Sequence, residues 1–193
     1  MRVDVLTGPA LDAALDDVAR LRLTVFADWP YLYDGDLDYE RRYLQTYRDS
    51  ADAVLVGAFD GARLVGAATG TPMEDHADDF ASAFATTDLA LNDIFYCAES
   101  VLLPDYRGRG IGHRFFDLRE THARALGRRY SAFCAVIRPD DHPLRPAGYA
   151  PLDPFWQKRG YAPLPGVTAR FRWKDRDQPT ETDHDLQFWT RRL

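Results

Sequence analysis

The sequence predicts an α/β fold in which a mixed sheet is flanked by helices, and three stretches carry that expectation. Leu11, Ala14, Leu15, Val18, Leu21 and Val25 recur at helical spacing with charges between them, so an amphipathic helix lies near the start. Two apolar runs, Val54–Phe59 and Leu64–Ala68, flank the tight-turn dipeptide Asp60-Gly61 and should pair antiparallel. Further on, an apolar strand, a glycine-rich turn, an amphipathic helix and a second apolar strand follow one another. A strand reached through a helical crossover lies parallel to the strand before it, so the sheet holds both kinds of pairing.

The elements follow in order. A short strand, Val3–Leu6, precedes the first helix. Trp29-Pro30-Tyr31-Leu32-Tyr33-Asp34-Gly35 breaks the helical pattern and puts aromatic residues in a connecting loop, which makes Trp29 and Tyr31 candidates for lining a substrate pocket. Tyr39–Tyr47 reads as a second short helix. The acidic, alanine-rich stretch Glu74–Asp88 fits either a short helix or an irregular insertion. Ile94–Leu103 is a nearly continuous apolar run suited to a strand buried on both faces, with Glu99 as its charged exception. From Gly110 to about Leu126 a helix carries Ile111, Phe115, Leu118, His122 and Leu126 on one face; Gly127 ends it, and Tyr130–Ile137 is the parallel strand. A proline-rich loop (Pro139, Pro143, Pro146, Pro151), a short helix at Pro154–Arg159 and strands near Val167–Trp173 and Leu186–Thr190 complete the chain. With no repeat or linker, residues 1–193 read as a single domain.

Composition narrows the function. Hydrophobic residues make up 46% and charged residues 28%, far from the signature of disorder. Against 24 Lys and Arg stand 30 Asp and Glu, a net charge of −6 that argues against nucleic acid and anionic membrane as partners. Any anion site must be local. The absence of a leader-like or spanning apolar stretch points to a cytoplasmic protein without a membrane partner. Cys97 and Cys134 sit in apolar runs and read as reduced core thiols. The acidic clusters Asp75-His76-Asp78-Asp79 and Asp183-His184-Asp185 offer no supporting shell, so no metal is expected.

The chemistry concentrates in Arg107-Gly108-Arg109-Gly110-Ile111-Gly112, between strand and helix. A pyrophosphate needs converging backbone N–H groups and a positive helix end, and glycines let the backbone approach. Arg107, Arg109 and Arg114 make the local field positive. A nucleoside-triphosphate loop would need Lys and Ser or Thr after the last glycine, where His113 and Arg114 stand. A dinucleotide turn would be spaced Gly-x-Gly-x-x-Gly in an early unit, whereas this one is mid-chain and spaced Gly-x-Gly-x-Gly.

Pro104-Asp105-Tyr106-Arg107-Gly108-Arg109-Gly110-Ile111-Gly112 resembles the signature of the GNAT N-acyltransferases, Arg/Gln-x-x-Gly-x-Gly/Ala, at Arg107, Gly110 and Gly112. The order of elements over most of the chain is similar too. The resemblance implies a GNAT-like mixed, centrally splayed sheet flanked by helices, and acetyl-CoA or another acyl-CoA as cosubstrate. Backbone groups of Val101, Leu102 and Leu103 would then hold the pantetheine arm as an added strand, and the amides from Arg107 through Gly108, Arg109, Gly110 and Ile111 to Gly112 would hold the pyrophosphate.

Transfer to an amine needs a base for the nitrogen and a proton for the departing thiolate. Glu99 is the candidate base, against the alternative of a hydrogen-bonded structural carboxylate. His142, just beyond the parallel strand, is a candidate substrate contact, with an exposed loop histidine as its alternative. Arg145 and Arg138 could meet an acceptor carboxylate or pair with acidic neighbours in the chain. In many GNAT enzymes a tyrosine of the helix after the parallel strand protonates the thiolate. Phe155-Trp156-Gln157-Lys158-Arg159-Gly160-Tyr161 resembles that region with Trp156 at the tyrosine's place. An indole does not donate a proton at neutral pH, so Tyr149 is the substitute acid and Trp156 a substrate contact. The resulting expectation is acetyl transfer to a primary amine of a small molecule or peptide, with a homodimer allowed. A non-catalytic acyl-CoA sensor is the alternative.

Overall fold

The computed structural model describes residues 1–193. Its elements are β1 (Arg2–Leu6), α1 (Gly8–Phe26), α2 (Leu37–Tyr43), α3 (Gln45–Asp49), β2 (Val54–Asp60), β3 (Arg63–Pro72), α4 (Ala77–Phe84), β4 (Ile94–Tyr96), β5 (Ser100–Leu102), α5 (Ile111–Ala125), β6 (Tyr130–Val136), α6 (Asp153–Lys158), β7 (Ala162–Lys174) and β8 (Glu181–Arg192). The strands form one eight-stranded sheet in the order β1-β2-β3-β4-β6-β8-β7, with β5 paired only to β3. All pairs are antiparallel except β4 with β6, the strands joined through α5. The mixed sheet expected from the hairpin and the helical crossover is therefore present.

Alternation along β2 distributes the core. Leu55 faces α1 and packs with Leu11, Leu15 and Val18, whereas Val56 and Ala58 face α5 and pack with Ile111 and Phe115. Burial of each large side chain on these faces contributes roughly 1.5–3 kcal/mol. A third layer comes from α4, whose Phe80 and Phe84 pack against Phe188 of β8. Of the two readings left open for Glu74–Asp88, the helix is thus the one formed at Ala77–Phe84. No helix is long and apolar enough to cross a membrane.

Three expectations need correction. The second helix is two, α2 and α3, meeting at Leu44. The closing strands are longer than the apolar runs, because β7 and β8 extend as a hairpin whose outer residues are charged and exposed. Most consequentially, Ile94–Leu103 is not one strand. Ala98 N–H donates to Thr69 O and Thr69 N–H donates to Glu99 O, each at 3.1 Å, so two residues stand opposite one in a β-bulge. Before the bulge, β4 joins β3 to β6. After it, β5 stays with β3 while β6 continues alongside β8, and the sheet splays open.

Candidate active site

The turn before α5 has a conformation that its glycines permit. Gly108 and Gly110 have φ of 72° and 78°, where a Cβ is disfavoured. A methyl group built on either would meet no atom within 4 Å, so the face of the turn is open. Helix α5 has no side-chain cap and no acidic residue in its first turn, which leaves its leading amides and positive dipole end uncompensated. Arg107 Nε donates to Leu102 O at 3.2 Å and Arg109 Nη2 donates to Asp105 O at 2.8 Å, so both guanidiniums brace the turn and stay beside it. This donor set fits a pyrophosphate.

The open edge of β5 continues the site. Leu103 N–H donates to Val65 O at 3.0 Å, and Glu99 O accepts from Thr69. Bonding alternates along an antiparallel strand, so the backbone of Val101, between these two, also faces β3, while that of Ser100 and Leu102 faces the splay. Of the expected trio, Leu102 thus turns its backbone to the open side, where its carbonyl already accepts from Arg107 Nε, and Ser100 faces the same way. Val101 and Leu103 are committed to the sheet.

The bulge is held by a buried cation. Arg119, on α5 and fully buried, donates through Nη1 to Thr69 O and Glu99 O, both at 3.0 Å, and through Nη2 to Ser100 Oγ at 2.8 Å. No carboxylate pairs with it; main-chain oxygens and the Ser100 hydroxyl at the point of splay take its hydrogen bonds.

Glu99 is 4% exposed and belongs to a second buried network. Its Oε1 accepts from Arg22 Nη1 at 2.5 Å and its Oε2 from the Tyr47 hydroxyl at 2.7 Å. Arg22 Nε donates to Glu40 Oε2, so one guanidinium serves two carboxylates. Burial opposes the charge of Arg22, yet Glu99 and Glu40 hold its pKa well above the ordinary value. Glu40 Oε1, fully buried, has no partner. Arg22 also lies over the rings of Tyr43 and Phe26, 4.5 and 5.0 Å from their centroids.

Arg22 and Glu99 form one wall of a cavity of about 120 Å³ whose other walls are largely aromatic, from Phe26, Tyr31, Tyr33, Tyr43, Tyr96 and Trp173 among others. Burial pushes the phenols of Tyr31 and Tyr33 well up, and the next contributions come from Cys134 for Tyr31 and Glu40 for Tyr33. Cys134 also borders the cavity, with Tyr96 OH 3.3 Å from its Sγ, and burial raises its thiol to about 12. Cys97 is likewise buried and unbridged, 3.3 Å from Ser131 Oγ; both cysteines are free thiols.

The remaining expected residues separate into groups. Trp29, His142, Arg145 and Tyr149 come together: the indole lies 5.2 Å from the His142 ring and 5.9 Å from the Tyr149 ring, and Arg145 lies 5.8 Å from the latter while pairing with Asp140. Tyr31 parts from Trp29 and enters the cavity, its ring 5.9 Å from Trp173. Arg138 is structural: it pairs with Asp175 at 2.6 and 2.9 Å and donates to the carbonyls of Pro30 and Tyr31, clamping that loop to the end of β7. Trp156 packs 4.9 Å from Phe133 and 5.2 Å from Trp189, outside the residues that line the cavity. The Tyr161 hydroxyl donates to Glu120 Oε1 at 3.0 Å and accepts from the Ser131 hydroxyl at 2.7 Å within the core.

Arg22, Glu40, Tyr47 and Arg119 were not among the expected site residues. Two of them left a trace: Arg22 continues the apolar stripe of Leu15 and Val18, and Arg119 lies one turn beyond Phe115 on the buried face of α5. A charge on an apolar stripe demands a buried partner.

The GNAT acetyltransferase family matches residues 19–161 of the chain. No curated protein matches the sequence. Among solved structures, a ribosomal-protein-alanine N-acetyltransferase from Brucella melitensis superimposes with a TM-score of 0.63 at 13% identity, covering 100% of both chains. A GCN5-related N-acetyltransferase from Kribbella flavida gives 0.62 at 16% identity over 99% of this chain and 98% of its own. A protein from Salmonella typhimurium solved with its cofactor acetyl-CoA gives 0.59 at 10% identity over 100% and 95%. The cradle at α5, the splay at the β4–β5 bulge and this match over most of the chain agree, and the protein belongs to the GNAT acetyltransferase family.

Proposed function

We propose that the protein transfers the acetyl group of acetyl-CoA to a primary amine. The observation that carries this reading is the continuity of three features along one segment: Glu99 on the cavity, the open edge at Ser100 and Leu102 beside it, and the amide cradle of Gly108 to Gly112 that follows.

In this reading the α5 amides and Arg107, Arg109 and Arg114 bind the pyrophosphate, and the backbone of Leu102 and Ser100 aligns the pantetheine arm so that the thioester reaches the splay. Bound acetyl-CoA supplies an activated acyl group, whose carbonyl carbon bonds to the amine nitrogen as the C–S bond breaks. Glu99 takes one proton from the incoming ammonium, since the nitrogen lone pair must be free to attack. Both Glu99 oxygens accept one hydrogen bond each and keep lone pairs for this. Tyr149 gives a proton to the thiolate and recovers one when the nitrogen loses its second proton, so the turnover releases one proton overall. A phenol is protonated at neutral pH at its ordinary value, and burial first and Asp153 next raise that of Tyr149 further. His142, Arg145 and Trp29 shape the mouth around Tyr149, and Trp156 supports that wall from the core rather than touching the acceptor.

The test is acetyl-CoA-dependent thiol release with a panel of primary amines, with mass spectrometry of the product. Amide formation supports the reading. Tight acetyl-CoA binding without thiol release for any amine would favour a sensor instead.

A further inference from the structure

Two buried cations reach Glu99, each from its own side of the sheet. Arg22 of α1, with the Tyr47 hydroxyl of α3, fixes the carboxylate at the cavity wall. Arg119 of α5 fixes the main chain instead. Its Nη1 donates to Glu99 O and to Thr69 O, the two carbonyls that face each other across the bulge, and its Nη2 donates to Ser100 Oγ. Nε turns back to Phe115 O of its own helix at 3.2 Å, which sets the plane of the fork. Every hydrogen bond from α5 to the bulge comes from this one side chain. The remaining contact of α5 with the sheet is apolar, from Ile111, Phe115, Phe116 and Ala123, and apolar packing is non-directional. A desolvated guanidinium is costly unless its N–H groups are bonded. Four of its five are, and all four bonds serve the register between α5 and the bulge.

Resting on the acetyl-transfer reading above, we infer that Arg119 is a positioning residue for that reaction: it locks the main chain of Glu99 to the helix that carries the pyrophosphate cradle, and so sets the reach of the Glu99 carboxylate toward the amine beside the thioester. Acetyl-CoA is registered by the start of α5, whereas Glu99 belongs to the sheet. Arg119 is the directional link between the two frames. At 1.5 Å per residue it lies roughly 12 Å along α5 from Ile111, so it does not itself touch the phosphates. Its loss is therefore felt in turnover and not in acetyl-CoA affinity. Misplacing a reacting group by about 1 Å costs on the order of a hundredfold in rate. Lysine cannot substitute, because an ammonium is a point charge on a flexible stem and lacks the planar fork that spans two carbonyls and a hydroxyl.

The experiment uses the full chain. Thiol release from acetyl-CoA with a primary amine is measured below the amine's pKa, acetyl-CoA affinity by calorimetry, and folding by circular dichroism. Arg119→Lys keeps the charge and loses the fork. It is expected to lower kcat by about tenfold to a hundredfold while acetyl-CoA affinity stays within about threefold of the parent. Because Arg119 acts through Glu99, adding Arg119→Lys to Glu99→Gln should lower kcat by no more than about twofold further. A folded Arg119→Lys protein with a lower melting temperature and the parent's kcat would make the residue structural only and overturn the inference. A loss of acetyl-CoA affinity as large as the loss of kcat would do the same, as would losses that multiply in the double variant. If Arg119→Lys does not fold, Ser100→Ala decides. It removes the acceptor of Nη2 alone, and should lower kcat by about threefold or more in the parent and leave that of Glu99→Gln unchanged. Unchanged turnover of Ser100→Ala would then overturn the inference. Full activity of Glu99→Gln by itself would overturn the base role and the inference together and leave acetyl transfer standing. Absence of thiol release from the parent with every amine would sink acetyl transfer itself, and the inference with it.

Discussion

Arg22 of α1 and Glu99 of the bulge, 77 positions apart, meet with Nη1 2.5 Å from Oε1 at the wall of the aromatic cavity. The contact ties the first helix to the point where the sheet splays. Because Arg22 also holds Glu40, replacing it would strand two buried carboxylates. Arg22→Met is expected to cost about 3–5 kcal/mol, the range for removing one partner of a buried pair. For a chain of this length that lowers the melting temperature by on the order of 10 °C. Thermal denaturation followed by circular dichroism checks it, and a shift below about 2 °C would mean that the network contributes little.

The cradle makes a prediction with two parts. At Gly110 an alanine meets open space but must adopt φ near 78°, which costs roughly 1–2 kcal/mol. At Gly112 the added methyl meets only Phe155, at 3.5 Å, an ordinary contact. The Gly110→Ala, Gly112→Ala protein should therefore fold, yet lose at least about tenfold in acetyl-CoA affinity because a Cβ obstructs close approach of the phosphates. Calorimetric titration of acetyl-CoA decides it.

Stability should depend on pH through His184. Its ring stacks on Trp173 at 3.8 Å, and burial lowers its pKa below the ordinary 6.5 despite the pull of Asp175. The folded state therefore binds fewer protons than the unfolded state between the lowered value and 6.5. The stabilising contribution is complete above about pH 6.5 and declines as the pH falls through that window. Melting temperatures measured from pH 7.5 down to 5 should fall more steeply for the parent chain than for His184→Gln. Parallel curves would remove His184 from the account.

Tyr149→Phe deletes one hydroxyl from a ring that rests against Trp29. If that hydroxyl protonates the thiolate, turnover should drop ten- to thousandfold, about the range for general-acid assistance, with acetyl-CoA affinity unchanged. Thioesters with poorer leaving groups should exaggerate the loss. Full turnover of the variant would leave water as the donor.

The fold was legible wherever periodicity matched burial: the stripe of α1, the hairpin at Asp60-Gly61 and the crossover through α5 all follow from local pattern. The turn at Gly108–Gly112 was legible because its chemistry is local, a positive φ and a bare helix end. The bulge was not, since Ala98 and Glu99 oppose Thr69 only through tertiary pairing, and an apolar run gives no sign of a register change. The polar network escaped for a related reason. Arg22, Glu40, Tyr47 and Glu99 come from three helices and the bulge, and a sequence does not say which buried charges will find one another. The direction of the Trp156 ring, which packs against Phe133 and Trp189, was not legible either, because a place in a short helix does not disclose it.

The central claim is that Glu99, held by Arg22 and Tyr47, accepts the proton of an acceptor amine beside a bound acetyl thioester. The most direct measurement is the pH–rate profile of thiol release from acetyl-CoA with a primary amine, for the parent and for Glu99→Gln, together with acetyl-CoA affinity. The account expects the variant to lose about a hundredfold or more in turnover below the amine's pKa, to recover as the pH approaches it, and to bind acetyl-CoA within about twofold of the parent. Equal rates for the two proteins across the whole profile would contradict it and make Glu99 a structural carboxylate.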